Sequence, residues 1–375
     1  MSKPKETKKE GLFFAVIRIL LGLVFIFSSF VKGIDPIGTA YRVEDYLDAY
    51  GWYGLIHFSF ALGVVLIATE FLIGFALLFK IRTKLAAVGV VLIMMFFFVV
   101  TYFDATRNMV TDCGCFGDAI KMSNWGTFYK NIVLILFAAV VFAGRGKMTR
   151  ALPVWLQNIL LMVVAGLYVF FIFYNYNHLP MIDFRDWKIG KDMKTTNGNK
   201  TKTYVIYQNK KTGEKKEFLS PNYPWNDSVW MSRWEFVDQR MEMTTSQVHH
   251  LMIMDERGED YTADIVDNPG YQFILVSWDL DEADGEGMAK AAKLYRDVQK
   301  QGGNFVLVTA STPENILKYK TVFNITYPYY FADDIELKAM IRSNPGLVLM
   351  HDGMVINKWH FNDFPEMMQE AIGDQ

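Results

Sequence analysis

The only two cysteines of the 375-residue chain, Cys113 and Cys115, stand one residue apart, and their thiols offer the most evident chemistry in the sequence. Two thiols at this spacing close a disulfide only in a strained ring, and strain favours a labile bond that exchanges with other thiols. Gly114 and Gly117 relieve the backbone limits on so tight a loop. The spacing alone leaves two interpretations level, namely thiol–disulfide exchange and a static clip.

Zinc binding is a weaker interpretation of the same loop. Two sulfurs supply half of a zinc site, and the neighbouring sequence adds Asp112 and Asp118 but no histidine. We therefore expect no metal here. An attacking thiol needs a lowered pKa, and Lys121 and Lys130 are the basic residues close enough in the sequence to provide it.

The elements that must position the pair are membrane helices. Hydrophobic residues make up 51% of the chain and crowd into its first half. About 20 apolar helical residues cross a bilayer core. Stretches that approach this length are 12–32, 53–79, 85–103, 126–143 and 152–175. These stretches make the lipid bilayer the first predicted partner. A net charge of -2 gives no electrostatic case for binding to nucleic acid.

Basic residues in the short flanking segments predict the orientation of the five spans. Lysines and arginines in the tail 1–11, in the link 80–84 and in the segment 145–150 mark one side as cytoplasmic. The first span lacks a signal-peptide cleavage site and is expected to be retained. We thus expect a multi-pass protein of the bacterial inner membrane with a cytoplasmic N-terminus. The cysteine loop and a periplasmic C-terminal domain then share an oxidising compartment.

Two ionisable residues lie inside predicted spans, Arg18 in the first and Glu70 in the second. Charges in hydrocarbon usually face a partner or a cavity, so an Arg18–Glu70 pair is one interpretation. The alternative is structural: Arg18 reaches the inner interface and Glu70 bonds a neighbouring helix. After the first span, Asp35-Pro36 is a helix-start signal, and it predicts a short amphipathic helix along the outer interface.

These features form a set: the order of the spans, Glu70, and above all the run Asp112-Cys113-Gly114-Cys115-Phe116-Gly117-Asp118. Over about residues 12–145 the set resembles the DoxX/MauE group of four-helix membrane proteins. Members are associated with respiratory quinone chemistry or with the maturation of disulfide-containing periplasmic enzymes. The resemblance implies thiol redox at Cys113 and Cys115, with a quinone as a candidate cofactor and no other cofactor indicated.

The rest of the chain predicts extracytoplasmic domains. From about residue 271, buried strands alternate with helices, which indicates an α/β domain. The order resembles a thioredoxin-like domain, with Pro345 where that fold places its cis-proline. Where thioredoxins carry Cys-x-x-Cys, this chain reads Ser277-Trp278-Asp279-Leu280, so the domain has no thiol and is expected to dock a partner.

The predicted fold is an α-helical membrane bundle, four helices plus a fifth anchor helix, followed by a β-rich module and the α/β domain. The predicted boundaries are a cytoplasmic tail (1–11), the DoxX/MauE-like bundle (12–145), the fifth helix (146–178), the β-rich module (179–270) and the thioredoxin-like domain (271–375).

The leading functional hypothesis is an envelope membrane protein in thiol–disulfide or quinone-linked redox. Cys113 and Cys115 are then the exchanging pair, and the outer domain holds an extracytoplasmic protein partner. The alternative is a non-catalytic accessory or assembly protein in which the cysteine pair clips a loop. A transporter is a third hypothesis that rests on Arg18 and Glu70 alone.

Overall fold

A computed structural model describes residues 11–110, 114–148, 152–195, 201–219, 224, 228–243 and 251–373. The chain divides into two compact units. The first comprises Met1–Lys188 with Trp359–Asp363, and the second comprises Ile189–Lys358 with Phe364–Gln375.

The first unit is helical. Its helices are α1 (Leu12–Ile34), α2 (Pro36–Ala49), α3 (Ser59–Phe79), α4 (Thr83–Arg107), α5 (Asn124–Ala143) and α6 (Val154–Asn177), and the 3-10 helix Tyr53–Phe58 leads into α3. All of these α-helices except α2 belong to segments that are long and apolar enough to cross a membrane. The prediction of five apolar helices long enough to span a membrane is therefore confirmed for the part of the chain that the structure describes.

Small residues let α1 and α3 approach each other closely. A Cβ atom added to Gly74 would stand 2.9 Å from the carbonyl oxygen of Gly22 and 3.0 Å from the backbone nitrogen of Ile26. Apolar side chains provide little drive for association in lipid, so close backbone packing of this kind holds membrane helices together. Leu21 and Phe25 of α1 are buried in the same core.

The short helix α2 begins where the sequence predicted. The side chain of Asp35 accepts a hydrogen bond from the backbone nitrogen of Gly38 at 2.9 Å, and Pro36 occupies the first turn. This is an N-terminal cap, which satisfies a backbone donor that the helix leaves unpaired. Ala40 and Leu47 are buried on one face, and α2 packs against α3.

Polar side chains hold the last turn of α3 and the start of α4, at the end of the bundle where α1 begins. Arg18 of α1 donates to the carbonyl oxygens of Leu77 and Leu78, in the last turn of α3. A cation there satisfies unpaired carbonyls and opposes the negative end of the helix dipole. The Gln157 side chain of α6 accepts from the backbone nitrogen of Arg82 at 2.7 Å.

A small antiparallel sheet opens the second unit. Its strands are β1 (Thr201–Asn209), β2 (Lys215–Leu219) and β3 (Trp234–Met243), in the order β2-β1-β3, and the short helix α7 (Ser228–Arg233) precedes β3. The rings of Trp230 and Trp234 stack at 5.5 Å beside Tyr207 and form a small aromatic core.

A five-stranded mixed sheet forms the rest of the second unit. Its strands are β4 (Tyr271–Ser277), β5 (Asn304–Thr309), β6 (Tyr329–Phe331), β7 (Gly346–His351) and β8 (Met354–His360), in the order β6-β5-β4-β7-β8. The strands β4, β5 and β6 run parallel, and β7 is antiparallel to β4. The remaining helices are α8 (Thr262–Val266), α9 (Gly285–Lys300), α10 (Pro313–Val322), α11 (Asp334–Met340) and α12 (Met368–Ile372).

Candidate redox site at one end of the bundle

The segment that follows Cys113 is a tight turn between α4 and α5. Gly114 and Gly117 both have positive φ, 58° and 51°, the left-handed region that glycine adopts without strain. The backbone nitrogen of Gly117 donates to the carbonyl oxygen of Gly114 at 3.0 Å. Asp112 and Cys113 lie outside the described residues, so Cys115 is the one cysteine of the pair whose surroundings the structure gives.

The turn is fastened to α1 by its backbone and by one aromatic ring. The carbonyl oxygen of Cys115 accepts a hydrogen bond from the Ser28 hydroxyl at 2.8 Å. The ring of Phe116 lies 5.6 Å from the ring of Phe27, and the Nζ atom of Lys130 stands 4.3 Å from its centre. Lys130, a predicted source of positive charge, therefore does reach the cysteine motif, through a cation–π contact with Phe116.

Ser28 also touches a buried ion pair. Its Oγ atom lies 3.2 Å from Oε2 of Glu70, and the Nζ atom of Lys32 lies 2.5 Å from the other carboxylate oxygen. Glu70 is 1% exposed and Lys32 is 7% exposed. Because both charges are withdrawn from water, each depends on the other for compensation. Cys115, Ser28, Glu70 and Lys32 thus form one connected polar group, which we call the loop-anchor cluster.

The partner of Glu70 differs from the one that the sequence suggested. Arg18 binds the carbonyl oxygens at the end of α3, whereas Glu70 pairs with Lys32. The two basic residues are 14 positions apart in α1, and a rise of about 1.5 Å per residue separates them by about 21 Å along the helix. The structural interpretation of Arg18 fits this arrangement, and the proposed Arg18–Glu70 pair is replaced by Lys32–Glu70.

A second buried polar group lies between α4 and α5, near the same turn. The Tyr46 hydroxyl of α2 donates to Oδ2 of Asp104 at 2.6 Å, and the Asn124 amide donates to the carbonyl oxygen of Val110 at 2.9 Å. Burial, and to a smaller extent the negative charge of Asp104, raises the pKa of Tyr50 at the end of α2. These contacts fix the start and end of the segment that carries the cysteines.

Three buried oxygen atoms near the start of α5 have no hydrogen-bond partner among the described residues: Oδ1 of Asp104, Oδ1 of Asn124 and Oγ1 of Thr127. About one turn away from Asp104 in α4 and from Thr127 in α5, Thr101 and Asn131 form a satisfied pair. The Asn131 amide donates to Thr101 at 3.2 Å, and the Thr101 hydroxyl donates to the carbonyl oxygen of Phe97 at 2.7 Å.

Asp118 lies in the same turn but in a different environment. It lines a small cleft with Val31, Asp35 and Asp183. No group of three histidine, cysteine, aspartate or glutamate side chains that could hold a metal ion occurs within the described ranges.

In the second unit, the end of β4 is held by hydrogen bonds. The Ser277 hydroxyl donates to the Asn344 side chain at 2.7 Å, and the Asn344 amide donates to the carbonyl oxygen of Asp279 at 2.6 Å. The peptide bond between Asn344 and Pro345, the candidate cis-proline, is cis. Hydroxyl, amide and carbonyl groups therefore surround the end of β4.

Asp281, just beyond β4, is bound by side chains of α10. Lys318 and Tyr319 donate to its Oδ1 atom at 2.7 and 2.5 Å, and Asn315 donates to Oδ2 at 2.8 Å. These hydrogen bonds, that of Lys318 first, hold the pKa of the Asp281 carboxyl below its usual range.

The five apolar helices and the sheets that follow define the class: a multi-pass membrane protein with an N-terminal helical bundle and a β-containing C-terminal region. Residues 10–144 match the family model described as "Methylamine utilisation protein MauE", so this part of the chain is a MauE-family membrane domain. Residues 201–245 match "Domain of unknown function (DUF8463)". Comparisons with curated proteins and with solved structures found no match. The MauE part of the resemblance is confirmed, whereas the DoxX and thioredoxin-like parts remain predictions.

Sequence reasoning missed Ser28 and Lys32. Lys32 is the last residue of the predicted first span. A lysine near the end of one span and a glutamate inside the next were a usable signal for an ion pair between the two helices. Ser28 carried no signal, because serines commonly bond backbone carbonyls inside membrane helices.

Proposed function

We propose that the protein is a membrane-bound thiol redox protein in which Cys113 and Cys115 alternate between dithiol and disulfide. The observation that carries the proposal is the attachment of the Cys115 peptide to the buried Lys32–Glu70 pair through Ser28. A merely idle loop has no need of a buried charged group, which is costly in a membrane unless it serves a purpose. Lys130 adds a positive charge beside the motif, and positive charge favours a thiolate.

The reaction is an exchange that balances in atoms and electrons. A dithiol of a partner protein attacks the Cys113–Cys115 disulfide, the partner leaves as a disulfide, and the cysteine pair becomes a dithiol. The pair then returns to the disulfide by giving two electrons and two protons to a quinone, which becomes a quinol. The quinone is proposed by chemical class, and no residue is assigned to bind it.

The partner is proposed to be an extracytoplasmic protein held by the C-terminal region. The parallel strands β5 and β4, followed by the antiparallel β7 and by β8, support a thioredoxin-like fold for residues 271–375. A domain of this kind without cysteines binds chains but exchanges no thiols. The description of the matched family concerns methylamine utilisation, and an accessory thiol step in that process fits the proposal.

The location proposed for this chemistry is the bacterial inner membrane, with the cysteine loop and the C-terminal region on the periplasmic side. Five candidate spans among the described residues support opposite sides for the residues before α1 and those after α6, and the basic segments favour a cytoplasmic N-terminus. The periplasm keeps disulfides oxidised.

An accessory function is the second candidate. The end of β4 favours it, because Ser277 stands there in place of a thiol and donates a hydrogen bond to Asn344. In that case the cysteine pair is a static clip and the C-terminal region assembles an envelope complex.

Thiol trapping in cells separates the two candidates. Cells grown with and without respiratory quinones are quenched in acid, and free thiols are labelled with a maleimide of known mass. We expect a measurable dithiol fraction that rises without quinone, and a mixed disulfide with a partner in one of the single variants Cys113→Ser or Cys115→Ser. A pair that stays fully oxidised in both cultures, with no mixed disulfide, supports the accessory function instead.

A further inference from the structure

Ser28 has one hydroxyl proton and two acceptors within reach. The carbonyl oxygen of Cys115 lies 2.8 Å from its Oγ atom, and the Glu70 carboxylate lies 3.2 Å away. A hydroxyl donates a single hydrogen bond, so it serves one of these acceptors at a time. An ionised carboxylate accepts but does not donate, and it therefore competes with the Cys115 peptide for that proton.

We propose that Ser28 is a positioning residue whose choice of acceptor links Glu70 to the conformation of the Cys115 peptide and so sets the dithiol–disulfide equilibrium of Cys113 and Cys115. The inference rests on the proposed function, since it concerns the equilibrium of the same pair. It adds a means of control: the membrane interior acts on the cysteines through one hydrogen bond.

The two redox states require different backbones around the bond that Ser28 makes. A disulfide brings its Cα atoms within a narrow range of separations, whereas two thiols impose no such limit. With a single glycine between the cysteines, that constraint falls on the peptide of Cys115 itself. The Ser28 bond is therefore stronger in one redox state than in the other, and any change to it shifts the equilibrium.

Lys32 determines what a substitution at Glu70 does. Its Nζ atom lies 2.5 Å from Oε1, so in Glu70→Gln the amide oxygen stays toward Lys32 and the amide nitrogen faces Ser28. The amide then donates to Ser28, and the hydroxyl proton is left to Cys115 alone. Ser28→Ala removes the same bond. The two variants therefore act on the Cys115 carbonyl in opposite senses.

The test uses the full chain in lipid nanodiscs, equilibrated with set ratios of reduced and oxidised dithiothreitol and then trapped with a maleimide. We expect Ser28→Ala to shift the equilibrium constant about fivefold, which corresponds to about 1 kcal/mol for one hydrogen bond. Glu70→Gln shifts it in the opposite direction, and Ser28→Thr, which keeps the hydroxyl, restores the original value.

The adjacent Ser29 supplies a matched control. It is buried and its hydroxyl donates to the carbonyl oxygen of Ile26 at 2.9 Å, away from the cysteine turn. Ser29→Ala should leave the equilibrium unchanged.

The outcomes keep the two proposals apart. If the unaltered pair does not titrate with dithiothreitol at all, the proposed function fails. If it titrates but Ser28→Ala and Glu70→Gln coincide with the parent, or move it in the same direction, the role of Ser28 is wrong while the redox function stands. Should Glu70→Gln fail to fold, the contrast between Ser28→Ala and Ser28→Thr decides the matter.

Discussion

The Lys32–Glu70 pair places two charges where neither reaches water, so each residue needs the opposite charge of the other to be stable in its buried position. Replacing one partner leaves an uncompensated buried charge, which costs about 3–5 kcal/mol, whereas replacing both with apolar residues of similar size is often neutral. We therefore expect the pair to contribute more to the specific arrangement of α1 and α3 than to their stability.

This gives a prediction for stability. Lys32→Met should lower the free energy of unfolding in detergent by about 3–5 kcal/mol, and the double variant Lys32→Met with Glu70→Leu should recover most of the loss. The exposed pair Arg42–Asp45 is the control, because Asp45→Asn should change the free energy by less than about 1 kcal/mol. A double variant as unstable as the single one would contradict the expectation.

Two buried threonines on facing helices should respond in opposite ways to the loss of their hydroxyl groups. The Thr127 hydroxyl has no hydrogen-bond partner among the described residues, so Thr127→Val removes an unsatisfied group and should be neutral or stabilising. The Thr101 hydroxyl bonds Phe97 and Asn131, so Thr101→Val should destabilise the bundle by about 1–3 kcal/mol. Thermal unfolding of both variants in one detergent measures the contrast, and equal losses would count against it.

The sequence was sufficient to predict the spans, the start of α2 and the two glycines of the cysteine turn, because hydropathy, capping and backbone freedom are local properties. It was insufficient for the partner of Glu70. That partner depends on how far α1 slides along α3, and this offset is set by packing at Gly22 and Gly74 rather than by any local preference. The contact of Ser28 with Glu70 follows from the same offset, since this acceptor lies on α3, 42 positions away in the chain.

At the scale of elements, the crossing of α1 and α3 is the contact that aligns the loop-anchor cluster. Backbone atoms of α1 lie 2.9 to 3.0 Å from the position that a Cβ atom at Gly74 would occupy, and a backbone moves less readily than a flexible side chain. Any larger residue there separates the two helices and, with them, Lys32 from Glu70.

We therefore expect Gly74→Ala to lower the unfolding temperature and to weaken the Lys32–Glu70 contact. Gly166 of α6 is the matched control, because a Cβ atom there meets nothing within 4 Å. Gly166→Ala should be neutral or stabilising by up to about 1 kcal/mol, the difference in helix propensity between the two residues. The prediction fails if the two substitutions have the same effect on unfolding.

The link between the end of β4 and α10 predicts a pH effect in the second unit. The pKa of Asp281 is lowered in the folded state, so its stabilising contribution is full above the ordinary aspartate pKa of about 3.9 and is lost as the pH falls through the lowered value. As the pH falls across that range, the protection of the α10 amides against hydrogen exchange, taken relative to the intrinsic exchange rate at each pH, should decrease in the full chain. Asp281→Asn should abolish the pH dependence, and Glu282→Gln, at the exposed neighbouring residue, should preserve it.

At the scale of the whole molecule, the odd number of candidate spans among the described residues gives a testable prediction of which segments lie on each side of the membrane. In a Cys113→Ser, Cys115→Ser background, a cysteine at Arg257 should react with a membrane-impermeant maleimide added to spheroplasts. A cysteine at Lys147, in the segment between α5 and α6, should react only after permeabilisation. Labelling in the reverse pattern would put the cysteine turn in the cytoplasm and remove the oxidising compartment from the proposal.

The chain has a single pair of cysteine thiols, and the end of β4 adds none. Under the proposed function, this one pair must meet the electron donor and the electron acceptor in turn, because the donor reacts with its disulfide form and the acceptor reacts with its dithiol form. Turnover then follows a ping-pong rate law, in which raising the concentration of one substrate leaves the slope of the double-reciprocal plot for the other unchanged. The spacing of two cysteines thereby fixes the form of the steady-state kinetics.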